Sequence, residues 1–150
     1  MTRVAVLAFL ILITGCDALP RDPGGTLKRV ETTHRLMVGV AAGLPISRND
    51  RPVRLIEALE RHTGARAEIS RGAAEPLFTA LRAGRLDLVI APVAADSPWA
   101  TEVAFGPPLA IAGTGDERLE LVAAMRNGEN RWIMLVERSS RAVAPAAAGR

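Results

Sequence analysis

The side chains best placed to do chemistry are six small polar, charged or aromatic groups: Ser47, Ser70, Arg71, Asp96, Ser97 and Trp99. Each stands at or just after the end of a segment that reads as a strand, which is where ligands bind in open parallel sheets. Arg71 has the chemistry to hold a carboxylate or another anion, helped by backbone N–H groups at a helix start. Asp96-Ser97-Pro98-Trp99 reads as a half-site in which Asp96 meets a cation and Trp99 stacks on it. The plainer alternatives are a solvated loop charge for Arg71 and a Ser/Pro turn in which Trp99 packs for structure. Catalytic constellations are missing. The sequence has no Gly-x-Ser-x-Gly elbow and no His-Glu-x-x-His. Glu57, Glu60, Asp87 and Glu102 are scattered, and Asp87, at a strand start, is expected to fix a turn. His34 and His62 stand alone, so no metal site is expected. Gly39-Val-Ala-Ala-Gly43 lacks the third glycine of a dinucleotide loop, and Pro45 disrupts helix entry. The reading is of a binding protein with no catalytic residue and no cofactor.

The composition agrees. Of 150 residues, 49% are hydrophobic and 23% charged, which suits one globular domain and excludes wholesale disorder. There is no Tyr, and the aromatics are Phe9, Phe78, Trp99, Phe105 and Trp132, too few for stacking platforms. The net charge of +3 comes from 19 basic and 16 acidic residues that are spread along the chain, so a nucleic-acid partner is not expected. Cys16 is the single cysteine, which excludes an internal disulfide framework.

The elements that position the candidate residues alternate. Residues 35–40 read as a buried strand. Pro52 then suits a helix first turn, and Val53, Leu55, Ile56 and Leu59 give its apolar face up to Thr63-Gly64. Residues 65–70 form a second strand, followed by Arg71-Gly72. Pro76, Leu77, Phe78 and Leu81 mark a second helix, stopped by Gly84. Residues 86–90 form the clearest strand, closed by Pro92. This βαβαβ order implies right-handed crossovers and an α/β fold, mainly a parallel sheet with helices on both faces. Shorter extended pieces follow at 102–105 and 109–112. A further strand is expected at 119–125, a turn at Asn127-Gly128, and a last helix capped by Asn130.

Ahead of these elements, Arg3 precedes ten apolar residues, Val4–Ile13, too few to span a bilayer but suited to a signal-peptide core. They run into Ile13-Thr14-Gly15-Cys16, which resembles the bacterial lipoprotein signal. The resemblance implies a diacylglyceryl thioether on Cys16 and removal of residues 1–15. Asp17 resembles the inner-membrane retention signal, which implies a protein held by lipid on the periplasmic side of the inner membrane. Residues 16–33, with two prolines and Gly24-Gly25, read as a flexible tether. The folded domain is then expected over 34–141, with a disordered tail at 142–150.

Leu36–Val40, the Leu55–Gly64 helix, "LFTALRAGRLDLVIAPV" (residues 77–93) and Val103-Ala-Phe-Gly-Pro-Pro-Leu109 together resemble the first lobe of bacterial extracellular solute-binding proteins of family 3. These are the periplasmic receptors of ATP-driven amino-acid importers. The likeness runs in order over residues 35–112, and "AAMRNGENRWIMLVER" (123–138) is similar to a strand and final helix of such proteins. It implies a single-lobed, type II periplasmic-binding-protein-like domain. Such a domain would present a small solute to an inner-membrane transporter, or else serve without ligand as an envelope accessory or sensor module on a membrane protein. In the family's register, Trp99 stands where a carboxylate-clamping Arg is expected, after Asp96 and Ser97. Arg54 stands where an acidic residue is expected, and the chain has no room for a second lobe.

Overall fold

The computed structural model describes residues 22–44, 47, 50–115 and 118–143. The signal segment, Cys16 and residues 144–150 lie outside the described residues.

The elements follow the alternation of apolar periods. Helix α1 (Thr26–Thr33) leads into strand β1 (Arg35–Ala41), helix α2 (Arg51–Thr63) and strand β2 (Arg66–Gly72). Helix α3 (Ala74–Arg82), strand β3 (Leu88–Ala94) and a 3₁₀ turn (Pro98–Thr101) come next. Short strands β4 (Val103–Phe105) and β5 (Ala110–Ala112) precede the long β6 (Leu119–Arg126) and the final helix α4 (Asn130–Val143). In α2, proline in the first turn lacks an N–H that would have no partner there anyway. Leu55, Ile56 and Leu59 form its buried stripe, and Gly64 ends it at φ +67°, donating its N–H to the Glu60 carbonyl at 2.9 Å.

Helix α1 corrects the tether expected over 16–33. Its sequence has little apolar periodicity, and long-range polar contacts hold it instead. The Thr26 N–H donates to Glu129 Oε2 at 2.9 Å and the Gly24 N–H to Glu129 Oε1 at 2.6 Å, more than 100 residues along the chain. Val30 is fully buried. The folded unit therefore begins before residue 34. It also ends later than expected, because α4 continues through residue 143 and buries Val143.

The sheet has the order β2-β1-β3-β6-β4, with β5 also paired to β6. Strand β1 runs parallel to β2 and β3, whereas β6 runs antiparallel to β3, β4 and β5. The parallel half is the βαβαβ unit read from the sequence. The late strand β6 inserts beside it. Side-chain alternation divides the core between two faces. Helices α1, α2 and α4 cover Val38, Val40, Leu88, Ile90 and Met125, while α3 covers Val89, Ala91, Val122 and Ala124. Burial on both faces explains the near-continuous apolar run of β3. Gly39 lets α3 approach: a Cβ there would lie 2.8 Å from Leu86 Cδ1 and 3.0 Å from Leu77 Cδ2.

Four local expectations shift. Pro92 lies inside β3, two residues beyond its last pairing with β1 at Ile90, where that side of the strand is open. Arg71 belongs to β2, which runs to Gly72. Asn130 is the first residue of α4, and the helix begins from Glu129, whose carbonyl accepts the Ile133 N–H at 2.8 Å. Asp87, expected to fix a turn, instead ties the start of β3 to β1, α1 and α4. It is buried, accepts the Met37 N–H at 2.9 Å, pairs with Arg29, and its carbonyl takes the Trp132 indole N–H at 2.8 Å.

Candidate functional site

Strands β1, β2, β3 and β5 all end at one pole, and β6 starts there. An open groove of ≈ 740 Å³ lies at this pole on the α2 side of the sheet. Its apolar walls come from Leu44 after β1, Pro92 of β3, Leu109–Ala112 around β5, and Leu119 and Leu121 of β6. Asp50, Arg51 and Pro52, at the start of α2, supply its polar end. This is the crevice outside the carboxyl ends of the strands where open α/β sheets take ligands.

The polar end is held in place by its own bonds. Asp50 Oδ2 accepts the Ser47 N–H at 2.5 Å, and the Asp50 carbonyl accepts the Arg54 N–H at 3.1 Å as α2 begins. The guanidinium of Arg51 donates to the Leu109 carbonyl, tying α2 to the segment that enters β5. That single bond leaves other guanidinium N–H groups for a ligand carboxylate, since Arg offers five donors. On the apolar side, Ile111 is 54% exposed and Leu119 42% exposed. Leu119 shares a face with its register partner Ala112 and with Leu121, whereas Ile111 is opposite Glu120 and projects from the other face of the ribbon.

The six residues singled out from the sequence are dispersed around the same pole, and none lines the groove. Ser47 is exposed, beside Asp50. Ser70 and Arg71 are exposed on edge strand β2, where the Ser70 hydroxyl donates to the Val38 carbonyl at 3.4 Å. Asp96 is exposed in the turn after β3, and Ser97 precedes the 3₁₀ turn. Trp99 packs against Phe78 on the α3 side, with ring centroids 5.2 Å apart. It is thus a packing residue on the opposite face of the sheet from the groove. The strand ends singled out from the sequence lie at this pole, but Asp50, Arg51 and the β5 segment, which line the groove, were not among the residues singled out. Asp50-Arg51-Pro52 carried a usable signal, a charged pair opening the helix that follows the first strand. Among the described residues there is no group of three or more His, Cys, Asp or Glu that would hold a metal ion.

No protein-family model matches the chain, and no curated protein does. Solved structures do. Domain 1 of TmArgBP from T. maritima, as its Phe57Trp mutant in the arginine-bound form, superposes with a TM-score of 0.65 at 19% identity, covering 78% of this chain and 97% of that one. The ancestral amino acid-binding protein AncCDT-1, described as a precursor of cyclohexadienyl dehydratase, gives 0.64 at 13%, over 78% and 92%. The amino-acid transporter substrate-binding protein AbpA from Streptococcus pneumoniae, bound to L-arginine, gives 0.64 at 8%, over 77% and 91%. The chain is similar to binding proteins and to one forerunner of an enzyme, and it folds as a single lobe of the periplasmic-binding-protein-like architecture.

Proposed function

We propose that this protein is a lipid-anchored solute-binding lobe on the periplasmic side of the inner membrane, which binds rather than transforms a small solute and presents it to an inner-membrane transporter. The observation that supports it is the groove at the carboxyl ends of the strands, with Asp50 and Arg51 at one end and an apolar floor. That arrangement suits an amphipathic solute with one charged end, as an amino acid has. Domain 1 of TmArgBP, to which this chain is similar in fold, is described in an arginine-bound form, which supports a solute-binding reading. The exposed Ile111 and Leu119 favour a second reading, in which the same rim contacts a membrane protein without ligand.

A single wall limits affinity. If a closed two-lobed receptor binds at about 1 μM, near −8 kcal/mol, half its contacts leave roughly −4 kcal/mol, or millimolar binding. Titrating acyl-free protein with leucine and with arginine should therefore move amide resonances of residues 109–112 with millimolar midpoints. Arg51→Gln should weaken that response several-fold. Unmoved resonances there with both amino acids would remove the solute-binding reading and leave the contact surface.

The anchor is tested separately. Cys16→Ser should abolish acylation and leave an unprocessed or misrouted precursor. Mature wild-type protein whose mass shows an unmodified Cys16 would exclude the lipid anchor.

A further inference from the structure

We infer that the pole opposite the groove is a docking surface for an anionic lipid bilayer. The inference deepens the lipid-anchored reading and rests on it for the position of the acyl chains. Helix α1 lies across the amino-terminal ends of the strands. Its start is bonded to Glu129 below β6, and its end, through His34, turns directly into β1. The described chain begins at Asp22, six residues beyond Cys16, and six residues span about 20 Å at most. A chain acylated at Cys16 would therefore keep this pole within about 20 Å of the headgroups. Strand β1, seven residues long, separates the pole from the groove by about 20 Å more.

The charge at this pole fits the partner. Lys28 on α1, Arg85 before β3 and Arg131 at the start of α4 are all exposed, and among the described residues none has an ion-pair partner. Arg126 links the segments that carry two of them: its guanidinium donates to the Thr26 hydroxyl, two residues before Lys28, and would lie 2.8 Å from a Cβ at Gly84, the residue before Arg85. The carboxylates here are largely engaged. Asp87 pairs with Arg29, Glu129 pairs with Arg126, and Asp22 accepts the Leu27 N–H, which leaves Glu31 as the open acid on α1. Arg131 also lines a groove of ≈ 670 Å³ between α1, α2 and α4 that exposes Met134, with Leu27, Glu31, His62 and Arg138 in the same lining. Basic groups around an exposed apolar side chain are the composition of a surface that rests on anionic headgroups.

The test uses the mature chain, residues 16–150, carrying Cys16→Ser, so that neither the apolar signal segment nor an acyl group contributes. Partition is measured onto vesicles of phosphatidylcholine alone and of phosphatidylcholine with 30% phosphatidylglycerol. Each basic residue near an anionic surface contributes about 1 kcal/mol, a factor of about five. The variant with Lys28→Gln, Arg85→Gln and Arg131→Gln should lose on the order of 100-fold in partition onto the anionic vesicles and nothing on the neutral ones. A control with Arg54→Gln, Arg71→Gln and Arg118→Gln removes the same charge from the groove pole and should lose less than fivefold. Equal losses in the two triple variants, or no preference of the parent chain for anionic vesicles, would overturn the docking surface. Failure of the anchor reading is seen elsewhere, as an unmodified Cys16 in the mass of wild-type protein recovered from cells, and it leaves the vesicle result standing.

Discussion

Ile90→Asp should unfold the domain at neutral pH. Ile90 is fully buried in the middle of β3, paired to Val40 on one side and Ala123 on the other. Its side chain belongs to the cluster formed with Leu55, Leu59, Trp132 and Val136, with no cation among them. A carboxylate there must either lose its hydration or take up a proton, and either costs several kcal/mol. Loss of the isoleucine packing adds about 2–4 kcal/mol. Against a typical total stability of 5–15 kcal/mol, the sum removes most or all of the folded state. Ile111→Asp puts the same charge on an exposed strand position and should change stability by less than about 1 kcal/mol. Urea unfolding followed by far-UV circular dichroism compares the two. An Ile90→Asp protein with a wild-type midpoint would remove β3 from the core.

Glu129 should show the second largest effect, and it should depend on pH. Burial alone would raise its carboxyl. The N–H groups of Thr26 and Gly24, the Thr26 hydroxyl and the Arg126 guanidinium outweigh that and hold it down at about 2, against an ordinary 4.5. A carboxyl depressed on folding stabilises the native state above its unfolded value, and the benefit is lost as pH falls from about 4.5 towards 2. A depression of that size corresponds to about 3 kcal/mol at neutral pH. Glu129→Gln should therefore lower Tm at pH 7 by on the order of 10 °C. The gap between wild type and variant should narrow steadily below pH 4.5. Asp22 acts in the opposite sense. Burial, with the nearby Glu129 charge, raises its carboxyl despite the bond from the Leu27 N–H, so its protonation in acid favours the folded state and blunts part of the loss. Thermal melts of Glu129→Gln and wild type between pH 3 and 7 check the sign. A gap that stays constant across that range would show that the carboxylate charge is not what holds α1.

What the sequence disclosed is what depends on local period. The helix faces of Leu55–Leu59 and Leu77–Leu81, the positive-φ glycine after Thr63 and the apolar run of β3 are set by neighbours within a few residues, and each is found where expected. Helix α1 was hidden because its stability comes from Glu129 and Asp87, far along the chain, while its own residues carry charges and a glycine pair that read as a tether. Arg71 and Trp99 looked like ligand groups because of the strand ends they follow. Which face of the sheet each side chain takes, and whether another ring covers it, depends on packing: Trp99 is claimed by Phe78. The groove itself needs β5 beside β6, a hairpin pairing that three-residue strands do not announce.

The place of β6 has a consequence for the order in which the molecule can assemble. It is the last strand along the chain, yet it sits between β3 and β4 and is also the strand to which β5 pairs. Until residues 119–126 are available, β3 has one neighbour and β4 and β5 have none. The lock on α1 waits longer still, for Glu129. Loop-closure entropy makes such distant pairings slow to form. Folding therefore cannot proceed piecewise from the amino terminus. A chain delivered end first lacks the β3–β6, β4–β6 and β5–β6 pairings and the Glu129 contacts of α1 until some 130 residues have emerged.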